Sequence, residues 1–375
     1  MKIVLAPDSF KGSLTSLEAA TTMKQAIQSI DEQATISIKP MADGGEGTVD
    51  VLLASTKGEK VPITCTGPLG TPIHTYYAVL KNNTAVIEIA NIAGLTQIAK
   101  SRRNPDITTT YGLGEVIKAA LDRGCTSFII GLGGSATNDG GFGLLQALGM
   151  QAWNHAGSQL GIFGKDMLAA KDICFSDIDP RLRKVHIQVA CDVDNPLVGD
   201  RGASAIYGPQ KGATKEQIIM YDKALSTLGK RLEAELNQDF TTVQGAGAAG
   251  GLGFALLAIG AELTSGAALI GKASGIDHAI RQADLVITGE GQSDEQTLYG
   301  KAPGYIVEVA NKNKVPAILL SGSLSGDLAA LREKFDGCFS IITSPSTVEA
   351  CMENADRLLF NQTVNILHLI QNLKS

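Results

Sequence analysis

The sequence predicts an α/β protein of two domains. One is a Rossmann-like parallel-sheet domain built from both termini, and the other is an inserted mixed α/β domain. Three observations predict this. The chain has 375 residues, beyond the roughly 250–300 at which single hydrophobic cores split. Short apolar runs alternate with helical patterns at both ends, as βαβ units require. The middle has a different texture, with two strand-like runs joined by three polar residues in the manner of a hairpin.

The elements follow in order. Ile3–Ala6 reads as a strand and Pro7-Asp8-Ser9-Phe10-Lys11-Gly12 as a loop. Thr15-x-x-Glu18 is a capping box opening a helix to about Ile30, and Thr35–Pro40 is a second strand. Thr75–Leu80 and Thr84–Ala90 form the hairpin around Lys81-Asn82-Asn83, and Ser127–Gly131 and His186–Ala190 are further strands. Residues 153–180 show no periodicity. Thr214-x-x-Gln217 caps a helix to about Asn237, with Ile218, Tyr221, Leu225, Leu228 and Leu232 on one face. The alternation then returns as strand 284–288, helix 303–312, strand 316–320, helix 327–334, strand 339–343 and a long helix from about Thr347. The expected boundaries are 1–64 and 281–375 for the terminal domain and 65–280 for the insert.

Composition narrows the function. Net charge is −6 and no Lys/Arg block occurs, which argues against nucleic acid. No apolar run approaches the roughly 20 residues of a membrane span. The strand starting at Lys2 leaves no signal-peptide layout, so a cytoplasmic location is expected. Six cysteines without a CxxC pair read as reduced thiols, and five histidines without ligand spacing argue against zinc. With 42 glycines and 5% aromatics, the core is aliphatic and many turns need special backbone geometry.

Three glycine-rich segments carry motif letters. Gly131-x-Gly133-x-x-Ala136 follows a strand and fits the dinucleotide fingerprint, but no Asp or Glu occurs from Gly140 through Gly164 to hold a ribose. A nicotinamide-dependent oxidoreductase is the alternative that rests on it. Gly245-x-Gly247-x-x-Gly250 lacks a good preceding strand. Gly266-x4-Gly271-Lys272 resembles a phosphate loop, but Ala273 stands where Mg²⁺ coordination needs a hydroxyl. A non-catalytic nucleotide-binding module is a third class, yet it would not need carboxylates on so many loops.

The stronger signal is the combination. Gly133, Gly134, Ser135, Thr137 and Asn138 read as an anion cradle at a strand-to-helix junction, with Asp139 either a Mg²⁺ ligand or a helix cap. Loops of similar composition occur at Asp8–Ser13, Ala42–Thr48, Cys191–Leu197 and Thr288–Asp294. Carboxyl ends of strands are where open α/β sheets bind ligands.

In order along the chain, APDSFKGSLTSLEAA from Ala6, MADGGEGT from Met41, GLGGSATNDGG from Gly131, CDVDNPLVGDRGA from Cys191, GPQKGA from Gly208, GAGAAGGLGFAL from Gly245 and TGEGQSDEQTLYGKAP from Thr288 resemble the bacterial-type glycerate kinase family. The resemblance implies ATP and Mg²⁺ as co-substrates, D-glycerate as acceptor with the 2-position favoured, and a site in an interdomain cleft. Roles are then assigned from chemistry. Asp192 is the expected general base, with capping of the Asn195-Pro196 turn as its plain alternative. Lys11 is expected to balance developing charge or hold the acceptor carboxylate. Asp43 with Glu46, or Glu290 with Asp294, would hold Mg²⁺, and both pairs stay open. Lys211 and Lys301, each beside glycine, would contact phosphate or carboxylate, with surface placement the alternative.

Overall fold

The computed structural model describes residues 1–374. The chain divides into two units, Met1–Asp43, Asp50–Lys57 and Ser265–Ser375 in the first, Gly44–Val49 and Gly58–Thr264 in the second. The crossings read from the sequence were 64/65 and 280/281.

In the first unit five parallel strands lie in the order Gly337–Ser340, Ala317–Ser321, Leu285–Gly289, Lys2–Pro7, Thr35–Ile38. Alternate side chains of a strand point to opposite faces, and the sheet buries both. Val4, Ala6, Val286 and Leu319 pack with Ile306, Val307 and Ala310 of the helix Ala302–Lys312. Ile3, Leu5, Ile287 and Leu320 pack instead with Met23 and Ile27 of the helix Ser16–Ile30 and with Leu359 and Leu367 of the helix Ala355–Lys374. This explains why the central strands read as continuous apolar runs rather than as alternations.

The first helix starts where its capping box requires. Thr15 Oγ1 accepts the Glu18 amide at 3.2 Å, and Glu18 Oε2 accepts the Thr15 amide at 2.8 Å. The long C-terminal helix expected from Thr347 is two helices, Val348–Glu353 and Ala355–Lys374.

The second unit carries a mixed six-stranded sheet in the order Glu262–Thr264, His186–Ala190, Ser127–Gly131, Thr84–Glu88, Pro72–Leu80, Gly58–Thr66. The expected hairpin is present, since Pro72–Leu80 and Thr84–Glu88 pair antiparallel. The strand Gly58–Thr66 escaped sequence reading. It runs antiparallel to Pro72–Leu80 along its whole length, and Pro62 is tolerated because the strand is at the sheet edge. The helix Lys215–Leu236 begins at the Thr214–Gln217 capping box and buries Tyr221, Leu225, Leu228 and Leu232. Residues 153–180, unassigned from sequence, contain the helix Gly164–Leu168 and the strand Asp172–Cys174, paired with Gln151–Trp153. Among the described residues no helix is long and apolar enough to cross a membrane.

Candidate functional site

In the first unit, four loops leave the carboxyl ends of the parallel strands and line one pocket of about 470 Å³. Asp8 follows the first strand, Glu290 and Gly291 follow Leu285–Gly289, Gly322 follows Ala317–Ser321, and Ile341 follows Gly337–Ser340. Close backbone approach decides the residue types there. A Cβ on Gly289 would lie 1.7 Å from the Leu320 carbonyl oxygen, and one on Gly322 would lie 2.3 Å from that of Gly291. Only glycine permits this spacing.

Glu290 is buried, and its geometry comes from neighbours. Its Oε1 accepts the hydroxyls of Ser293 at 3.1 Å and Thr297 at 2.6 Å. Its Oε2 lies 3.7 Å from Lys301 Nζ. Lys301 is the residue before the helix Ala302–Lys312, and it lines the pocket. Lys11, largely exposed on the first loop, places Nζ 3.6 Å from Asp43 Oδ2. So exposed a pair adds little stability. Its importance is that Lys11, Asp43, Glu290 and Lys301 all line the same pocket.

Asp8 lines the pocket as well and had no assigned role in the sequence reading. Its carboxyl is pushed up to about 7, chiefly by burial and then by the negative charges of Asp43 and Glu290. The backbone amide of Ser9, donating to Oδ1 at 2.6 Å, and the Lys11 charge pull the other way. One signal could have found it, since Asp8 is the first polar residue after an apolar parallel strand. Asp294 has a different place. Its carboxylate accepts the Gln296 amide at 2.9 Å and caps the short turn Glu295–Leu298, which carries Thr297. Asp294 therefore sets the hydroxyl that holds Glu290.

The second unit contains the Gly133–Asp139 loop. The helix after it begins only at Phe142 and is six residues long, so these glycines do not form the helix N-terminus expected of them. The amides of Gly133 and Ala136 are already bound to the carbonyls of Gly44 and Ala93. A Cβ on Gly133 would approach Gly45 Cα to 2.5 Å. Beneath the loop, Lys211 is buried and donates to Ser135 Oγ at 2.9 Å and to the Thr137 carbonyl. Burial lowers its pKa to about 7 against the opposing pull of Asp139.

Asp139 is fully buried, accepting the Thr110 amide and hydroxyl and the amides of Gly141 and Gly143. Two of these donors, the Gly141 and Gly143 amides, lie at the start of the helix Phe142–Ala147, and the other two belong to Thr110. Asn138 Nδ2 donates to Ser204 Oγ at 2.9 Å. Among the described residues, Thr137 Oγ1 and Asn138 Oδ1 are buried polar atoms without a partner.

Asp192 stands exposed on the loop after His186–Ala190. That loop is tied by Arg201 to Asp194 at 2.7 Å and by Asn195, which donates to the Arg201 carbonyl and accepts the Tyr207 hydroxyl. Glu46 is exposed in the second unit, while Asp43 belongs to the first. Glu88, another residue the sequence reading missed, is buried and accepts the amides of Gly47 and Val49, fixing the loop that carries Glu46. The phosphate-loop lookalike Gly266–Lys272 lies inside the helix Gly266–Ser274, where its amides serve the helix.

The site can be set against known proteins. A model described as the glycerate kinase family matches residues 3–371. A glycerate kinase of Bacillus subtilis (strain 168) is 44% identical over 358 residues, covering 95% of this chain and 94% of the relative. A protein of Escherichia coli (strain K12) named glycerate 2-kinase is 43% identical, again covering 95% of this chain and 94% of the relative. A crystal structure from Salmonella typhimurium LT2, described as glycerate kinase 2, matches with TM-score 0.90 and 41% identity, covering 100% of this chain and 99% of that one. Nothing in these comparisons supports the oxidoreductase alternative.

Proposed function

The chain belongs to the glycerate kinase family and is a kinase, and on that premise we propose that it transfers the γ-phosphoryl group of ATP to the 2-hydroxyl of D-glycerate in the cytoplasm. The observation that carries this reading is the first unit's pocket, where two lysines and three carboxylates meet at the carboxyl ends of parallel strands. The name of the Escherichia coli relative supports the 2-position.

The residues fit a magnesium nucleotide. Asp43 and Glu290 already disfavour the charged form of Asp8, so a cation there relieves their mutual repulsion. Among the described residues no group of three or more His, Cys, Asp or Glu side chains is placed to hold a metal ion. Mg²⁺ keeps several waters and takes further ligands from phosphate oxygens. Asp8, Asp43 and Glu290 would face it through those waters and the phosphates, and when bound it would neutralise charge on the transferring phosphate.

Lys301 and Lys11 supply cationic contacts to the phosphates. Asp192 accepts the proton of the attacking hydroxyl as its oxygen bonds to the γ-phosphorus and ADP leaves. We read the Gly133–Asn138 loop, with Lys211 beneath it, as receiving an anionic group of a substrate. The unpartnered Thr137 hydroxyl supports this, and Lys211 acts as a positioning residue.

A coupled ADP-release assay over a panel of small hydroxy acids tests the reaction, with phosphorus NMR reading the product. D-Glycerate is expected to be the preferred acceptor and 2-phosphoglycerate the product. No ADP release with D-glycerate would end the proposal, and a 3-phosphoglycerate product would end its regiochemistry. Asp192→Asn is expected to lower kcat at least ~10²-fold in a folded protein, as for loss of a general base. A change confined to KM would assign Asp192 to binding.

A further inference from the structure

The charged side chains of the first unit's pocket are grouped, with Lys11 beside Asp43 and Lys301 beside Glu290. Ser9, Ser13, Gln292 and Ser323 also line it. Its apolar lining comes from Phe10, from Ile341 and Ile342 after the last strand, and from Val348, Cys351 and Met352 of the short helix Val348–Glu353. Three of these side chains are unusually exposed for apolar residues. Val348 is 69% accessible, Ile342 39% and Met352 38%. Phe10, by contrast, is buried at the base of the turn Phe10–Leu14. Gly12 in that turn has φ +83°, and a Cβ there would lie 2.4 Å from Met352 Cε. The turn bearing Lys11 and the helix bearing Met352 therefore pack directly against each other.

We propose that the Phe10, Ile341, Ile342, Val348, Cys351 and Met352 end of this pocket binds the purine ring of the nucleotide, with its polyphosphate on Lys11 and Lys301. This rests on the reading of the protein as an ATP-dependent kinase. Three features select this occupant. The volume, about 470 Å³, is that of a site for a drug-sized ligand, far more than a three-carbon acid fills. Apolar walls with a few charged groups at one end match a flat heterocycle joined to an anionic tail. The loops at the carboxyl ends of parallel strands put the two ends within one ligand. Covering Val348, Ile342 and Met352 also removes apolar surface from water.

Cys351 provides a reporter within the wall. Alkylation by iodoacetamide, followed peptide by peptide in the full-length protein by mass spectrometry, is expected to slow at least about tenfold with saturating ATP and also with adenosine. Inorganic tripolyphosphate, which fills only the charged end, is expected to leave it unchanged. Met352→Glu and Val348→Asp, both at exposed positions, are each expected to weaken ATP binding at least about tenfold by calorimetry while leaving tripolyphosphate binding within twofold. If ATP binds and is turned over, yet Cys351 stays equally reactive and both variants bind ATP normally, the base lies elsewhere. The inference then falls and the kinase reading stands. If ATP neither binds nor turns over, both fall together.

Discussion

Chelation of divalent cations by EDTA is expected to take ATP-dependent phosphorylation of D-glycerate to background, and excess Mg²⁺ is expected to restore it. The argument is one of charge. Asp8, Asp43 and Glu290 share a pocket with only Lys11 and Lys301 as cations, and a nucleotide triphosphate brings further negative charge into it. Without a divalent ion the phosphates meet carboxylates, and the charge of the transferring group stays uncompensated. The measurement is the coupled ADP-release rate across a Mg²⁺ titration. Full activity in EDTA would overturn the assignment of these carboxylates. Circular dichroism should remain unchanged on chelation, since both sheets are held by backbone pairing and apolar packing.

Asp8→Asn is expected to separate activity from stability. Loss of a fixed charge from the proposed magnesium-nucleotide site should lower kcat/KM by about 10²–10³-fold, the scale seen when one preorganised electrostatic group is removed. In the metal-free protein the same change should stabilise the fold at alkaline pH. The sign follows from the raised pKa. Between the ordinary aspartate range and about 7 the folded protein holds a proton that the unfolded chain has released. Stability is therefore lost as pH rises through that window, and the full cost is present above about 7. At about 1.4 kcal/mol per pKa unit the upper bound on this cost is about 4 kcal/mol, and hydration of the pocket reduces it. The variant's thermal midpoint should exceed the parent's by several degrees at pH 8, at about 2–4 °C per kcal/mol for a domain of this size. The difference should vanish near pH 4. Asparagine keeps the oxygen that accepts the Ser9 amide, so the loop itself survives the change. A variant less stable at pH 8 would show that the Asp8 charge is compensated in the folded protein.

Such a site trades stability for chemistry. Gathering carboxylates at the end of a parallel sheet costs free energy, and on the proposed reading a bound cation and its ligand would offset that cost.

Much of this molecule was determined by local sequence. The apolar runs at Ile3–Ala6 and around Val286 specify buried parallel strands, because a strand covered on both faces has no polar face to alternate with. The Thr15–Glu18 and Thr214–Gln217 boxes specify two helix starts, because their hydrogen bonds close within one turn. The order of the loop motifs likewise pointed to the glycerate kinase family before any geometry was known.

Tertiary structure alone decided what those loops touch. The hydrogen bonds of Asp139 depend on where Thr110 lies, 29 residues away, and no spacing rule reaches that far. Lys211 was read as a phosphate or carboxylate contact with surface placement the alternative, and its burial against Ser135 comes from a contact 76 residues apart. Asp43 and Glu46, neighbours in one motif, belong to different units, whereas Asp8 and Glu290, 282 residues apart, share one pocket. Helix-capping boxes and hydrophobic periodicity are written in residues close along the chain. Burial and charge coupling are set by which strand ends meet in the sheet, and that is settled only when the chain has folded.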